Sequence, residues 1–151
     1  VNLSFTLNFN HVSDCYFQII AETDIFNALV DDATPYLTEK SYKPFISGMP
    51  FVVWGQKGNI QALREQGYDV FDNWINHDYD NIVNEGERLA ALMKEIERLY
   101  LWTHNEWTQH LSDMIPIFKN NYQNIHKRSN DDDFKYHSFR KLTNGASDVN
   151  W

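Results

Sequence analysis

The clearest pattern in the chain is an amphipathic segment that leads directly into a wholly apolar one. Thr38 is a good N-cap, because its hydroxyl can accept a hydrogen bond from the first turn of a helix. The apolar face that follows recurs at helical spacing and consists of Tyr42, Phe45, Ile46 and Met49. Gly48 can adopt the left-handed conformation that ends a helix. The next four residues, Phe51–Trp54, are apolar and β-favouring, so the pattern predicts a helix followed by a buried parallel strand.

The same alternation extends to both sides of this segment. Residues 15–21 are almost continuously apolar and predict a buried strand that ends at Glu22. Residues 59–66 predict a short helix with Gly67 as its cap, and residues 68–71 predict a third short strand. The order strand, helix, strand, helix, strand is typical of a parallel sheet with helical crossovers. We therefore expect an α/β fold with a Rossmann-like parallel sheet flanked by helices.

Two long amphipathic helices are predicted after this unit, over residues 84–102 and 106–128. In the first, the spacing directs Leu89, Leu92, Met93, Ile96, Leu99 and Tyr100 inward. The same spacing leaves the charges of Arg88 and Glu95 on the outer face. In the second, the inward positions are Leu111, Ile115, Phe118, Tyr122 and Ile125.

The two ends of the chain and the first loop carry weaker patterns. Residues 1–9 alternate apolar and polar, which predicts an edge or half-buried strand, and a short helix is expected near residues 25–30. From residue 129 apolar positions become sparse. The expected organisation is one Rossmann-like domain over residues 1–128 and a polar tail over residues 129–151.

Composition excludes several classes of protein. The chain has 151 residues, of which 42% are hydrophobic and 15% aromatic, so an intrinsically disordered protein is excluded. A formal charge of -8 at pH 7 argues against nucleic-acid binding. No apolar run is long enough to span a bilayer and no secretory signal is evident, so no membrane span is expected. The single cysteine, Cys15, is predicted to be buried and inert; it fits a reducing compartment, so the cytoplasm is the expected location.

The candidate chemistry gathers where the first predicted strand ends and the next helix begins. In open α/β sheets, ligands bind beyond the carboxyl ends of the strands, beside helix N-termini that attract phosphate. Glu22 ends a strand, while Thr38, Glu39, Lys40 and Lys43 open a helix. A lysine ammonium can bind phosphate, and a carboxylate can accept from ribose hydroxyls. The alternative is that Glu39 compensates the helix dipole and Lys40 is a solvated charge; spacing alone favours that alternative.

Other polar clusters give weaker signals. The turn Gly55-Gln56-Lys57-Gly58 lies between a strand and a helix, but no Lys-Ser/Thr follows the last glycine, so an ordinary turn is favoured over a phosphate loop. The acidic segment 72–81 contains His77 but no recognisable metal-ligand spacing. No metal site is predicted.

The segment around the Thr38 helix resembles a known family. A strand ending in Glu22, Thr38-Glu39-Lys40 opening a helix, and then Gly48, Pro50 and a strand running into Gly55 resemble the donor-binding half of the alpha-1,3-fucosyltransferases and related phage and bacterial glycosyltransferases. The resemblance covers roughly a quarter of the chain. The chain departs from it at Thr23, where the family usually has Asn.

The resemblance implies a donor-binding lobe of a GT-B glycosyltransferase. It implies that a carboxylate contacts the ribose and Lys40 contacts the diphosphate of a nucleotide-sugar, which is the donor substrate; no further cofactor is expected. Such enzymes take acceptor and catalytic base from an N-terminal lobe, for which this chain has no room, so that lobe or a partner chain would have to supply them. Catalytic residues stay unassigned.

Two other functions are compatible with the sequence. The first is a binding or assembly module that has kept the fold and lost the chemistry, with its aromatic surface covered by a partner or by a second copy in a homo-oligomer. The second is a small hydrolase that uses the acidic segment 72–80, which the sequence favours least.

Overall fold

Two short parallel strands form the centre of the fold. In the computed structural model, which describes residues 14–23 and 35–129, strand β1 (Gln18–Ala21) pairs in parallel with β2 (Phe51–Trp54). Ile19 lies opposite Val52 in this register. Val52 is fully buried, whereas Ile19 is 55% exposed, so β2 is the covered strand and β1 the outer one. The predicted parallel pairing of these two segments is confirmed.

The helix between the strands, α1 (Glu39–Ser47), has the predicted caps. The Thr38 hydroxyl accepts a hydrogen bond from the backbone N–H of Lys40 at 3.2 Å. Gly48 ends the helix at φ 64°, and its N–H donates to the carbonyl of Pro44. The next helix, α2 (Asn59–Glu65), follows β2 through a turn and also matches its prediction.

The predicted third strand is wrong. Residues 68–71 form no strand, and the Asn121 side chain takes the two backbone groups of Asp69 that a neighbouring strand could have used. The N–H of Asp69 donates to Oδ1 of Asn121 at 2.9 Å, and Nδ2 of Asn121 donates to the Asp69 carbonyl at 2.8 Å. Phe71 then takes a φ of 68°, which ends any extended run. In the described ranges the sheet has two strands, so the fold is mixed α/β with a small parallel sheet.

A side chain also occupies the edge of β2 where a third strand would pair. The Gln18 N–H donates to the Pro50 carbonyl, so the backbone N–H and C=O groups of alternate residues of β2 point toward β1. The backbone groups of Val53 point away from β1. The Val53 N–H donates to the hydroxyl of Tyr79 at 3.0 Å. Tyr79 belongs to a short 3-10 helix (Asp78–Asn81) that lies against α2.

The two long helices are confirmed as α3 (Glu85–Tyr100) and α4 (His104–Ser129). They are separated by a capping box, in which Thr103 and Glu106 exchange hydrogen bonds. Helix α4 lies against α1, while α3 lies against β2 and the 3-10 helix.

The predicted inward faces of both helices are partly wrong. The buried residues of α3 are Arg88, Leu92, Glu95 and Leu99, whereas Leu89, Met93 and Tyr100 are exposed and Ile96 is half-buried. The helix is rotated toward its charges because both find partners: Arg88 donates to backbone carbonyls and Glu95 accepts from Arg98. The buried residues of α4 are Trp107, Met114, Phe118, Asn121 and Ile125; Leu111 and Tyr122 are half-buried and Ile115 is exposed.

The remaining sequence predictions have mixed outcomes. Cys15 precedes β1 and is exposed, so its predicted burial is wrong. The strand over residues 1–9, the helix near residues 25–30 and the tail beyond residue 129 lie outside the described residues. Within the described ranges, no helix combines the length and apolarity needed to cross a membrane.

Candidate functional site

The carboxylate of Glu22 connects the end of β1 to the start of α1. Its Oε1 accepts from the Thr38 backbone N–H at 3.1 Å and from the Ser41 hydroxyl at 2.5 Å, and its Oε2 accepts from the Thr38 hydroxyl at 2.5 Å. Glu22 is only 5% exposed, and Ser41 is fully buried. Three donors therefore satisfy one buried carboxylate, and they fix the first turn of α1 against the strand end.

The other candidate residues lie on the accessible side of this junction. Glu39 and Lys40 occupy the first turn and are half-buried, and Lys43 is half-buried one turn later. The Lys40 ammonium donates to the Thr23 hydroxyl at 3.0 Å, directly beyond the end of β1. The five predicted residues thus come from one strand end and one helix start, with Glu22 buried and the other four half-buried.

The five candidate residues therefore have different roles. The Glu22 carboxylate is held by Thr38 and Ser41, so it positions the helix and has little capacity left for a ligand. It also takes the Thr38 N–H, one of the groups that a helix N-terminus would otherwise offer to phosphate. A bound anion would therefore rely on the lysine ammonium groups more than on the backbone.

A second carboxylate occupies the start of α2. Oδ1 of Asp80 accepts from the Ile60 N–H at 3.2 Å and Oδ2 accepts from the Gln61 N–H at 3.1 Å, while the Asp80 carbonyl accepts from Gly58 at 3.0 Å. Burial raises the pKa of Asp80, although these N–H groups favour its ionised form. The start of α2 therefore binds a carboxylate of the chain itself, and Gly58 of the preceding turn binds the Asp80 backbone carbonyl, in agreement with the interpretation of residues 55–58 as an ordinary turn.

A chain of hydrogen bonds links the segment around His77 to strand β2 of the sheet. His77 is buried, and its Nε2 lies 2.7 Å from the Val70 carbonyl, which can only accept. Nε2 therefore carries the proton, and Nδ1 accepts from the Tyr79 hydroxyl at 3.1 Å. The Tyr79 oxygen in turn accepts from Val53. Burial lowers the pKa of His77, so this network requires the neutral ring.

Two carboxylates of the acidic segment, those of Asp72 and Asp80, have different partners. Asp72 forms an ion pair with Arg64 at 2.6 Å, while the Asp80 carboxylate accepts from a backbone N–H in the first turn of α2. Within the described residues, no three His, Cys, Asp or Glu side chains come together as a metal-binding group.

Three residues that hold the elements around the site are absent from the sequence predictions of the site. Ser41 and Asp80 act on helix starts, and Arg88 donates to the Gly55 carbonyl at 3.1 Å from a helix 33 positions later. Ser41 is the one that could have been predicted, since it lies one turn after the cap and faces the same strand end.

Comparison with known proteins finds no matching family model, no matching curated protein and no matching solved structure.

Proposed function

We propose that this domain is the nucleotide-sugar-binding lobe of a glycosyltransferase and that the diphosphate of the donor binds at the start of α1. The observation that carries the proposal is the Glu22 anchor, which holds Thr38 against the end of β1 and so presents Glu39 and Lys40 together. The resemblance of this segment to the fucosyltransferase family supports the same assignment.

The groups present have complementary chemistry for such a ligand. The ammonium of Lys40 donates to a neutral hydroxyl, that of Thr23, which a phosphate oxygen can replace or share. Lys43 adds a second positive charge one helical turn away. The Glu39 carboxylate can accept from the two hydroxyls of a ribose. The acceptor and the catalytic base would come from a second lobe or a partner chain.

Calorimetric titration with guanosine, uridine and cytidine diphosphates tests the proposal. One of the three is expected to bind with a dissociation constant on the order of 1 mM or lower. Glu39→Gln keeps a hydrogen-bonding carbonyl and is expected to weaken binding less than Glu39→Ala. Absence of binding heat with all three nucleotides, at concentrations well above that constant, would contradict the proposal.

A binding or assembly module is a second candidate, favoured by the outer face of α3. Leu89 and Met93 are 40% and 45% exposed, and Tyr100 and Leu101 are 81% and 78% exposed. Adjacent apolar side chains of this size on a surface often mark an interface. Sedimentation analysis of the parent and of a Met93→Lys variant tests this candidate. A parent oligomer that dissociates in the variant would support an interface on this face. A monomeric parent would exclude self-association.

A further inference from the structure

Two polar cavities lie side by side at the segment that follows the predicted third strand. One has a volume of about 410 Å³ and is lined by Arg64, Asp72, Asn73, Asn76 and Arg98, among others. The other, of about 400 Å³, shares Arg64, Asp72 and Asn73 and extends to Asn120. The Arg64–Asp72 ion pair therefore lies along both cavities. Each cavity has a size typical of small-molecule sites.

One wall of the first cavity is held by a buried carboxylate. Glu95 is 7% exposed and accepts from the Asn76 N–H at 2.9 Å and from Arg98 at 2.6 and 2.9 Å. Arg98 also donates to the Trp74 carbonyl at 2.5 Å. On the opposite side, Arg64 donates to both carboxylate oxygens of Asp72. The two arginines of the lining are therefore held by carboxylates of the chain before any ligand arrives.

The charges of the lining select against an anion. Each guanidinium already has its own carboxylate at 2.6 Å, Asp72 for Arg64 and Glu95 for Arg98. Asp78 adds a negative charge to the first cavity. A phosphate would therefore have to displace a carboxylate or lie beside one.

The remaining groups suit a neutral ligand that is rich in hydroxyls. Side-chain amides both donate and accept, as sugar hydroxyls do, and Asn73 and Asn76 place two such amides along the first cavity. Asn73 also reaches the second cavity, where Asn120 adds another amide. Because the two cavities share Arg64, Asp72 and Asn73, a ligand with two linked rings could reach both.

We propose that these cavities are adjacent subsites for a neutral disaccharide or a disaccharide unit of a glycan. The site shares no residue with the Glu22–Lys40 junction and does not rest on the proposed nucleotide binding. Either site can fail its test while the other stands.

Titration of the isotope-labelled chain with maltose, cellobiose, lactose and chitobiose, followed by amide NMR spectra, tests this inference. At least one disaccharide is expected to shift the amides of residues 72–81 and of Asn120 saturably, with a dissociation constant on the order of 1 mM. Asn73→Ala removes an exposed side chain shared by both cavities, so it should weaken binding at least about tenfold. Asn105→Ala, an exposed asparagine on α4, is the matched control and should bind as the parent does.

Four results would overturn the inference. The first is no saturable shift with any of the four disaccharides up to about 50 mM, where a ligand of that affinity would be almost fully bound. The second is equal binding by Asn73→Ala and the parent. The third is perturbation of the same amides by inorganic pyrophosphate alone. Methyl glucoside is expected to bind more weakly than the best disaccharide, and equal affinity would contradict the paired subsites.

Discussion

The carboxylate of Glu22 accepts both the backbone N–H and the hydroxyl of Thr38, at 3.1 and 2.5 Å. One residue ends β1 and the other caps α1, so this contact joins the two elements at the candidate site. The helix start is therefore set by a tertiary contact as well as by its local cap. Its position does not depend on a bound ligand.

The first prediction follows from this contact. Glu22→Ala leaves the Thr38 N–H and the hydroxyls of Thr38 and Ser41 without their acceptor, and should lower the free energy of unfolding by about 1–3 kcal/mol. Glu97→Ala, at an exposed position of α3, should change it by less than about 0.5 kcal/mol. Urea titration of both variants provides the measurement. Equal stability of the two would show that the Glu22 contact does not hold the helix.

The second prediction tests the orientation of α3 with one residue type at two positions. Leu92 is 1% exposed and Leu89 is 40% exposed, although the sequence pattern treats them alike. Leu92→Ala should cost about 2–5 kcal/mol because it leaves a cavity in the core. Leu89→Ala should be clearly milder, since its side chain is already partly in water. A larger loss of stability for Leu89→Ala in thermal melts would mean that the helix is rotated.

The third prediction concerns the side chain that replaces a strand neighbour. Asn121→Ala removes both hydrogen bonds to the Asp69 backbone and should destabilise the chain by about 1–3 kcal/mol. Asn120→Ala, at the adjacent exposed position, should stay within about 0.5 kcal/mol of the parent. If both variants melt together with the parent, water satisfies the Asp69 backbone and Asn121 is dispensable.

Local patterns were sufficient where an element is determined by its own sequence. The caps Thr38 and Gly48 and the apolar run Phe51–Trp54 gave α1 and β2 their observed bounds. The parallel pairing of β1 with β2 followed from the helix between them. At the site, the same reasoning placed Glu22 beside Thr38, because a strand end and the start of the following helix meet at one edge of a parallel sheet.

Local patterns failed where partners come from distant parts of the chain. Residues 68–71 have strand-like composition, but Asn121 takes their hydrogen bonds from 52 positions away. In α3, the pattern predicts that the face with Leu89 and Met93 is buried, whereas in the structure a second face, with Arg88 and Glu95, is buried instead. The second is buried because the charges find partners that periodicity cannot show, such as the Gly55 carbonyl.

The fourth prediction is a dependence of stability on pH. His77 is buried in its neutral form and burial lowers its pKa, while the unfolded chain binds the proton near the ordinary pKa of 6.5. The unfolded state therefore binds more protons as the pH falls below that value, and the native state loses stability. Urea titrations between pH 8 and 5 should show this loss in the parent and a smaller slope in His77→Gln. Identical slopes would mean that other groups cause the acid sensitivity.

The most direct test of the central claim maps a nucleoside diphosphate onto the chain. The nucleotide that gives the strongest binding heat is titrated into the labelled protein, and amide shifts are followed in the parent, Lys40→Ala and Lys94→Ala. The account predicts saturable shifts at Thr23, Glu39 and Lys40. It also predicts that Lys40→Ala weakens binding by a factor that shrinks with added salt, while Lys94→Ala, an exposed lysine on α3, behaves as the parent. Shifts confined to other residues, or equal binding by all three proteins, would contradict the assignment of the donor site to the start of α1.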